Sequence, residues 1–300
     1  MTFRISDWVC RLPALLASTV LLSTGAVAQD FDAIQISTTP VRDGIYMLQG
    51  SGGNIGLSIG EDGTFIIDDQ FAPLTEKITA AIAELTDQPV TFVVNSHFHY
   101  DHADGNENFG RAGAYIVAHD NARRRMESTQ VLASGRVQEP YDQVGLPKIT
   151  FFDDMRFYFN GNTVDIVNTG NGHTDGDAQV YFRDANVIHT GDMFVRYGLP
   201  FIDQNNGGTL DGMIEALWKI DGLINDDTII IPGHGQLSTR ADLRAFRDML
   251  VEIRGNLVRA KIQGMTPQAM LDLQPADGFA PANDNTAQWL LRAYGEYADQ

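Results

Sequence analysis

Apolar residues recur along this chain in two rhythms. Runs of strand length, rich in β-branched and aromatic residues and bounded by Gly, Asn or Asp, occur at IYMLQG (45–50), NIGLSIG (54–60), TFIID (64–68), VTFVVN (90–95) and AYIVA (114–118). A second series follows: ITFFDDMRFYFNG (149–161), TVDIVN (163–168), AQVYFR (178–183), NVIHTGD (186–192) and TIIIP (228–232). Helical spacing of apolar positions appears instead in LTEKITAAIAELTD (74–87), in the arginine-bearing stretch after residue 118, in LDGMIEALWKIDGL (210–223), and in 239–263 and 286–298. Residues 128–148 carry Gly, Pro and polar residues without a period, which predicts a long loop. Two β-rich halves, each closing with helices, predict a layered α/β fold with sheets packed together and helices outside.

One motif is set aside by this pattern. Gly56-Leu57-Ser58-Ile59-Gly60 has the spacing of a serine-nucleophile elbow. That motif needs a strand-to-helix turn, and here another strand follows.

The first 28 residues change the picture of the whole chain. Arg4 and Arg11 precede LPALLASTVLLSTGAVA, which ends in Ala26-Val27-Ala28. A basic start, an apolar core and a small-residue end predict a secretory signal peptide cut before Gln29, and hence a periplasmic protein. The predicted organisation is a signal at 1–28, a catalytic domain at 29–263 and a helical tail at 264–300. The single cysteine, Cys10, lies in the signal. A mature chain without cysteine excludes disulfides, thiolate ligands and a cysteine nucleophile, so any metal must be held by His, Asp or Glu.

Charge narrows the partners. With 21 Lys+Arg against 39 Asp+Glu, the net charge is -18, and such a surface repels nucleic acid. The one basic run, Arg123-Arg124-Arg125, reads as a solvated helix face. A small-molecule substrate is expected, with no nucleic-acid partner and no membrane contact once the signal is removed.

Histidine supplies the chemistry. Of seven histidines, His97, His99 and His102 fall within NSHFHYDHADGN (95–106), together with Asp101, directly after an apolar strand. Residues two apart on an extended chain share a face, so His97 and His99 can serve one metal ion. His173, His189 with Asp192, and His234 also sit at or near the ends of strand-like runs, where loops present chemistry.

These residues resemble the metallo-β-lactamase superfamily. The match consists of the HxHxDH segment 97–102, then His173, Asp192 in a Gly-Asp pair, and His234 in Pro-Gly-His-Gly, in family order over roughly residues 35 to 236. The resemblance implies an αββα sandwich with the metal site along one edge between the sheets. It implies one zinc ion on His97, His99 and His173, and a second on Asp101, His102 and His234, with Asp192 able to bridge both. Zinc accepts imidazole and carboxylate, and makes hydroxide available near neutral pH for attack on a carbonyl. By the same resemblance Asp101 is the candidate catalytic residue and Asp68 a residue that orients ligand loops. His119 and His189 read as structural.

The departures concern substrate. Cysteine-containing β-lactamases of this family have Cys where this chain has Asp192, and three residues later a Lys that holds the drug's carboxylate. Here that position is Val195, leaving Arg196 as the candidate substrate contact. The resemblance therefore implies an exported dinuclear zinc hydrolase with weak β-lactam hydrolysis. A glyoxalase II-like thioesterase, a lactonase and a mononuclear iron sulfur dioxygenase of the same fold stand as alternatives.

Overall fold

The computed structural model describes residues 29–297. The signal segment lies outside the described residues. From Phe31 onward the elements belong to one compact unit. Strands β1 (Ser37–Arg42), β2 (Ile45–Gln49), β3 (Ile55–Gly60), β4 (Gly63–Ile67), β5 (Val90–Val94) and β6 (Tyr115–His119) form one sheet. After a small hairpin of β7 (Gln130–Val131) and β8 (Val137–Gln138), β9 (Ile149–Phe151) completes it at the far edge. Strands β10 (Asp154–Phe159), β11 (Asn162–Val167), β12 (Gln179–Phe182), β13 (Val187–His189) and β14 (Ile229–Ile231) form a second sheet in that order.

The two sheets pack face to face. Phe65, Ile67, Val94 and Val117 of the first sheet form one buried cluster with Val164, Ile166, Val180 and Phe182 of the second. Helices α1 (Thr75–Ala83), α2 (Tyr100–Ala103), α3 (Asn106–Arg111) and α4 (Asp120–Met126) belong to the first half. Ile78 and Ile82 of α1 and Phe109 of α3 cover the outer face of the first sheet at Leu57, Ile66, Val93 and Ile116. On the second sheet, Ile188 and Ile230 are covered by α5 (Leu210–Leu223), α6 (Arg240–Ile262), α7 (Pro267–Asp272) and α8 (Asp284–Gly295), through Leu217, Leu250, Met270 and Leu290 among others. This is the αββα sandwich that the resemblance implied. Its α6 begins at a capping box in which Thr239 and Asp242 satisfy each other's backbone N–H groups.

The structure departs from the sequence pattern in three places. The run 149–161 is two strands in different sheets, β9 and β10, divided at Phe152 and Asp153. Apolar alternation continues on both sides of the break, so the pattern could not mark it. Strand β1 has no apolar rhythm, since only Val41 is buried and Pro40 lies at a shift in register. An edge strand tolerates both features. The stretch 128–148 is not wholly loop, because β7 and β8 pair within it.

The arginine run corrects a further expectation. Only Arg124 is exposed. Arg125 pairs with Asp175 and bonds Asn206, while Arg123 bonds the Pro147 carbonyl and pairs with Glu127. The run ties loops of its own fold together. As expected, Ser58 lies within β3, which leads directly into β4, so no nucleophile elbow exists.

Candidate metal centre

Strand direction assembles the site. Strands β4 and β5 run parallel in the first sheet, and β13 and β14 run parallel in the second. Two antiparallel pairings, β11 with β12 and β12 with β13, orient β11 like β13. The loops after the C-terminal ends of β4, β5, β11, β13 and β14 carry Asp68, His97, His173, Asp192 and His234 in turn. Facing sheets thus deliver residues up to 166 positions apart, from Asp68 to His234, to one edge.

Three imidazoles converge first. His173 Nε2 lies 3.1 Å from His97 Nε2 and 2.9 Å from His99 Nδ1. Each ring is held from behind by an acceptor on its other nitrogen. His97 Nδ1 meets Ser96 Oγ at 3.0 Å, His99 Nε2 meets Asp203 Oδ2 at 2.9 Å, and His173 Nδ1 meets the Phe201 carbonyl at 2.7 Å. The Asp203 and Phe201 acceptors fix the proton on the outer nitrogen. Ser96 Oγ does the same for His97, because it already spends its hydrogen on Asp68 Oδ2 at 2.7 Å. Three lone pairs therefore point at one another. Burial, chiefly, holds His97 well below the ordinary imidazole range and lowers His173 to about 4, so at neutral pH both rings are uncharged and fit to bind a cation.

The second group carries charge. His102 Nε2 lies 3.2 Å from both His234 Nε2 and Asp192 Oδ1, and Asp101 Oδ2 is 3.4 Å from His234 Nε2. Burial acts against every charge here, yet the carboxylates and imidazoles outweigh it. His102 is held well above its ordinary range by Asp192, Asp68 and Asp101, and His234 rises to about 9 through Asp192 and Asp101. Asp101 falls to about 2 beside His102 and His234, and Asp192 is held well below the carboxylate range by the same two rings.

Asp192 joins the two groups. Its Oδ2 is 3.4 Å from His234 Nε2 and 3.8 Å from His173 Nε2. Its Oδ1 is buried and faces His102 Nε2 at 3.2 Å without a well-formed hydrogen bond. A buried carboxylate set among ring nitrogens of both groups is an arrangement that a cation can take up. The donor set also sorts into the overlapping triplets His97-His99-His173, His97-His102-Asp192 and Asp101-His102-His234, each compact enough for one ion. The residues fit a divalent metal of the kind that takes nitrogen and oxygen ligands.

The backbone makes room for this crowding. A Cβ on Gly53 would meet His102 Cε1 at 2.2 Å, and one on Gly233 would meet Asp192 Oδ1 at 2.0 Å. Asp68 adopts a left-handed backbone (φ 65), which Asp tolerates better than most residues. From there its Oδ1 accepts from the Ser96 N–H at 2.6 Å and its Oδ2 from His102 Nδ1 at 2.7 Å. One buried carboxylate thereby braces both ends of the His97–His102 segment.

The remaining sequence candidates fall elsewhere. His119 caps α4 and donates to the Phe152 carbonyl. His189 links the Asn54 carbonyl to the Gly191 N–H. Arg196 lies next to His234, its backbone N–H donating to the His234 carbonyl at 3.0 Å, while its guanidinium bonds Asp242 Oδ1 at 3.0 Å, at the start of α6. Three supporting groups went unseen in the sequence: Ser96, Asp203 and the Phe201 carbonyl. Ser96 has only its position next to His97 as a signal. Asp203, in a loop with no periodicity and 104 residues from His99, has none.

Known proteins share this architecture. The sequence model described as "Metallo-beta-lactamase superfamily" matches residues 48–234. A metallo-beta-lactamase from Pontibacter korlensis superposes with a TM-score of 0.61 at 19% identity, covering 72% of this chain and 99% of its own. The DIM-1 metallo-beta-lactamase gives a TM-score of 0.60 at 16% identity, covering 73% of this chain and 98% of its own. At such identities the likeness is one of fold.

Proposed function

The chain belongs to the metallo-beta-lactamase superfamily of metal-dependent hydrolases, and on that premise we propose that it is an exported dinuclear zinc hydrolase of small carbonyl compounds, with weak activity on β-lactams. The carrying observation is Asp192. It stands between the His97-His99-His173 group and the charged Asp101-His102-His234 group, its Oδ2 3.8 Å from His173 Nε2 and 3.4 Å from His234 Nε2. One iron ion could be served by two histidines and a carboxylate such as His97-His102-Asp192, but that would leave Asp101 and His234 without a role, which favours the dinuclear reading over a mononuclear iron oxygenase.

Zinc bound there would supply an activated water and an electrophile for the carbonyl oxygen. The chain's own residues do the rest. His97, His99 and His173 would hold one ion, and Asp101, His102 and His234 the other. Asp68 and Asp203 hold His102 and His99 by their outer nitrogens, so that the inward nitrogens are the ones turned to the ions. Asp101, ionised and at the more open side of the cluster, is positioned to accept a proton from an attacking water. Efficient β-lactam turnover needs a cation on the substrate's carboxylate, and Arg196 is engaged by Asp242. Weak turnover follows, because misplacement by about 1 Å can cost on the order of a hundredfold.

The test is a panel of a chromogenic cephalosporin, a thioester and a lactone given to zinc-loaded protein, with metal content measured in parallel. Two zinc ions per chain and chelator-sensitive hydrolysis support the proposal. One iron with no second site, or no metal-dependent hydrolysis of any member, would reject it. Export is tested separately: protein from the periplasm of a Gram-negative host should begin at Gln29, and an uncut Met1 on cytoplasmic protein would contradict it.

A further inference from the structure

Residues beyond the family match build a cleft against the metal centre. The match ends at residue 234, yet α8 and the turn before it form one wall of a cleft of ≈ 450 Å³ whose other wall is the loop 197–201. That second wall is shared with the metal site. Tyr197 places its ring 5.6 Å from that of His234, and Phe201 places its ring 5.8 Å from those of His99 and His173. Both aromatic residues also line the cleft. The α8 side adds Phe279, Trp289 and Arg292.

The walls are fixed rather than incidental. Trp289 Nε1 donates to the Pro200 carbonyl at 2.6 Å, Arg292 Nη1 to the Ala133 carbonyl at 2.9 Å, and Gln204 Nε2 to Glu296 Oε1 at 2.9 Å. Trp289 and Glu296 thus fasten the C-terminal helical segment to the loop that carries Phe201 and Asp203, and Arg292 fastens it to the β7–β8 hairpin. Arg292 pairs with no carboxylate among the described residues, although the chain carries 39 Asp+Glu. In so acidic a protein, a half-buried guanidinium left without a counter-ion beside four aromatic rings is a ready partner for an anionic group.

We propose that this cleft is the specificity pocket of the enzyme, holding an aromatic group of the substrate between Tyr197, Phe201 and Phe279, with Arg292 pairing with a carboxylate on that group. The assignment rests on the hydrolase reading for the word substrate, but the pocket's ligand preference can be measured without turnover. Aromatic rings offer the substrate's ring large contact area at little conformational cost. The guanidinium supplies the directed bond that selects an anion over a neutral analogue.

The experiment is calorimetric binding of benzoate and of its neutral analogue benzamide to the zinc-loaded full chain, with acetate as the ring-free control. Benzoate should bind about tenfold more tightly than benzamide, and Arg292→Gln, which keeps a shorter neutral donor, should abolish that difference. Phe279→Ala should weaken both ring compounds about fivefold without changing acetate binding. Benzoate binding no tighter than acetate would overturn the proposal. So would unchanged preferences in both variants, which would place the carboxylate on the metal ions. A second arm compares kcat/KM for 4-carboxybenzoyl and acetyl thioesters, whose ratio should fall in Phe279→Ala. Normal benzoate binding with no hydrolysis of either thioester, lactone or β-lactam would reject the hydrolase reading and leave the pocket standing. Hydrolysis without ring preference would do the reverse.

Discussion

Asp203 Oδ2 lies 2.9 Å from His99 Nε2, while its Oδ1 accepts the Ala133 N–H at 2.7 Å. The same Ala133 bonds Arg292 of α8 through its carbonyl. A metal-binding histidine is therefore set by a carboxylate that the β7–β8 hairpin holds in place, and the hairpin is held in turn by the C-terminal helix.

Replacing Asp203 by Asn removes the charged acceptor that fixes the His99 tautomer. Metal affinity of the three-histidine group should fall about 10–100-fold, the usual cost of losing such an outer partner. Competition against a chromophoric chelator reads this directly. An affinity equal to the parent's would reduce Asp203 to a space filler.

Gly53→Ala probes the other group. Its new Cβ would stand 2.2 Å from His102 Cε1, so the ring must leave its place beside His234 and Asp192. Bound zinc should drop from two ions to one per chain by elemental analysis, with the three-histidine group still loaded. Retention of two ions would show that the ring has somewhere to yield.

Asp101→Ala removes a ligand and the proposed proton acceptor from the open side of the cluster. Hydrolysis of the best panel substrate should fall by about a hundredfold or more. The thermal midpoint of the metal-free protein should stay close to the parent's, because the sandwich core is independent of this side chain. Undiminished turnover by folded variant protein would contradict the role assigned to Asp101.

Acid stability has its own marker in Asp221. This nearly buried carboxylate bonds Arg240, Arg244 and Arg247. Burial alone would raise its pKa, but the hydrogen bonds from Arg240 and Arg244 outweigh it and the group sits below its ordinary value. A carboxyl lowered on folding contributes stability above the unfolded value of about 3.9 and loses it as pH falls through the folded value. Asp221→Asn should therefore cost about 2 kcal/mol at pH 7, tempered by the partial exposure of Arg240 and Arg244. Denaturant midpoints should show the gap between parent and variant closing below about pH 4. An equal gap at pH 3 and pH 7 would mean the charge is not what stabilises this contact.

The sequence alone determined the sandwich and the ligand cluster. Apolar runs at strand spacing placed the core strands close to where they lie, and helix α5 spans the predicted 210–223, because burial on one face imposes a period that survives in one dimension. Five histidines and three aspartates, with Asp68 among them, were legible because metal chemistry admits few residue types and the loops after strands are where they must stand. Tertiary structure decided what no period encodes. The division of 149–161 between two sheets depends on which neighbour each half pairs with, not on its own alternation. Arg196 had the right place in the chain for a substrate contact, but a side chain of that length goes to whichever carboxylate lies within reach, and that is Asp242. Asp203 and α8 meet the site from 100 and more residues beyond His97 and His99. A long-range contact of that kind leaves no mark on the local sequence, since only the packed fold makes the two ends neighbours.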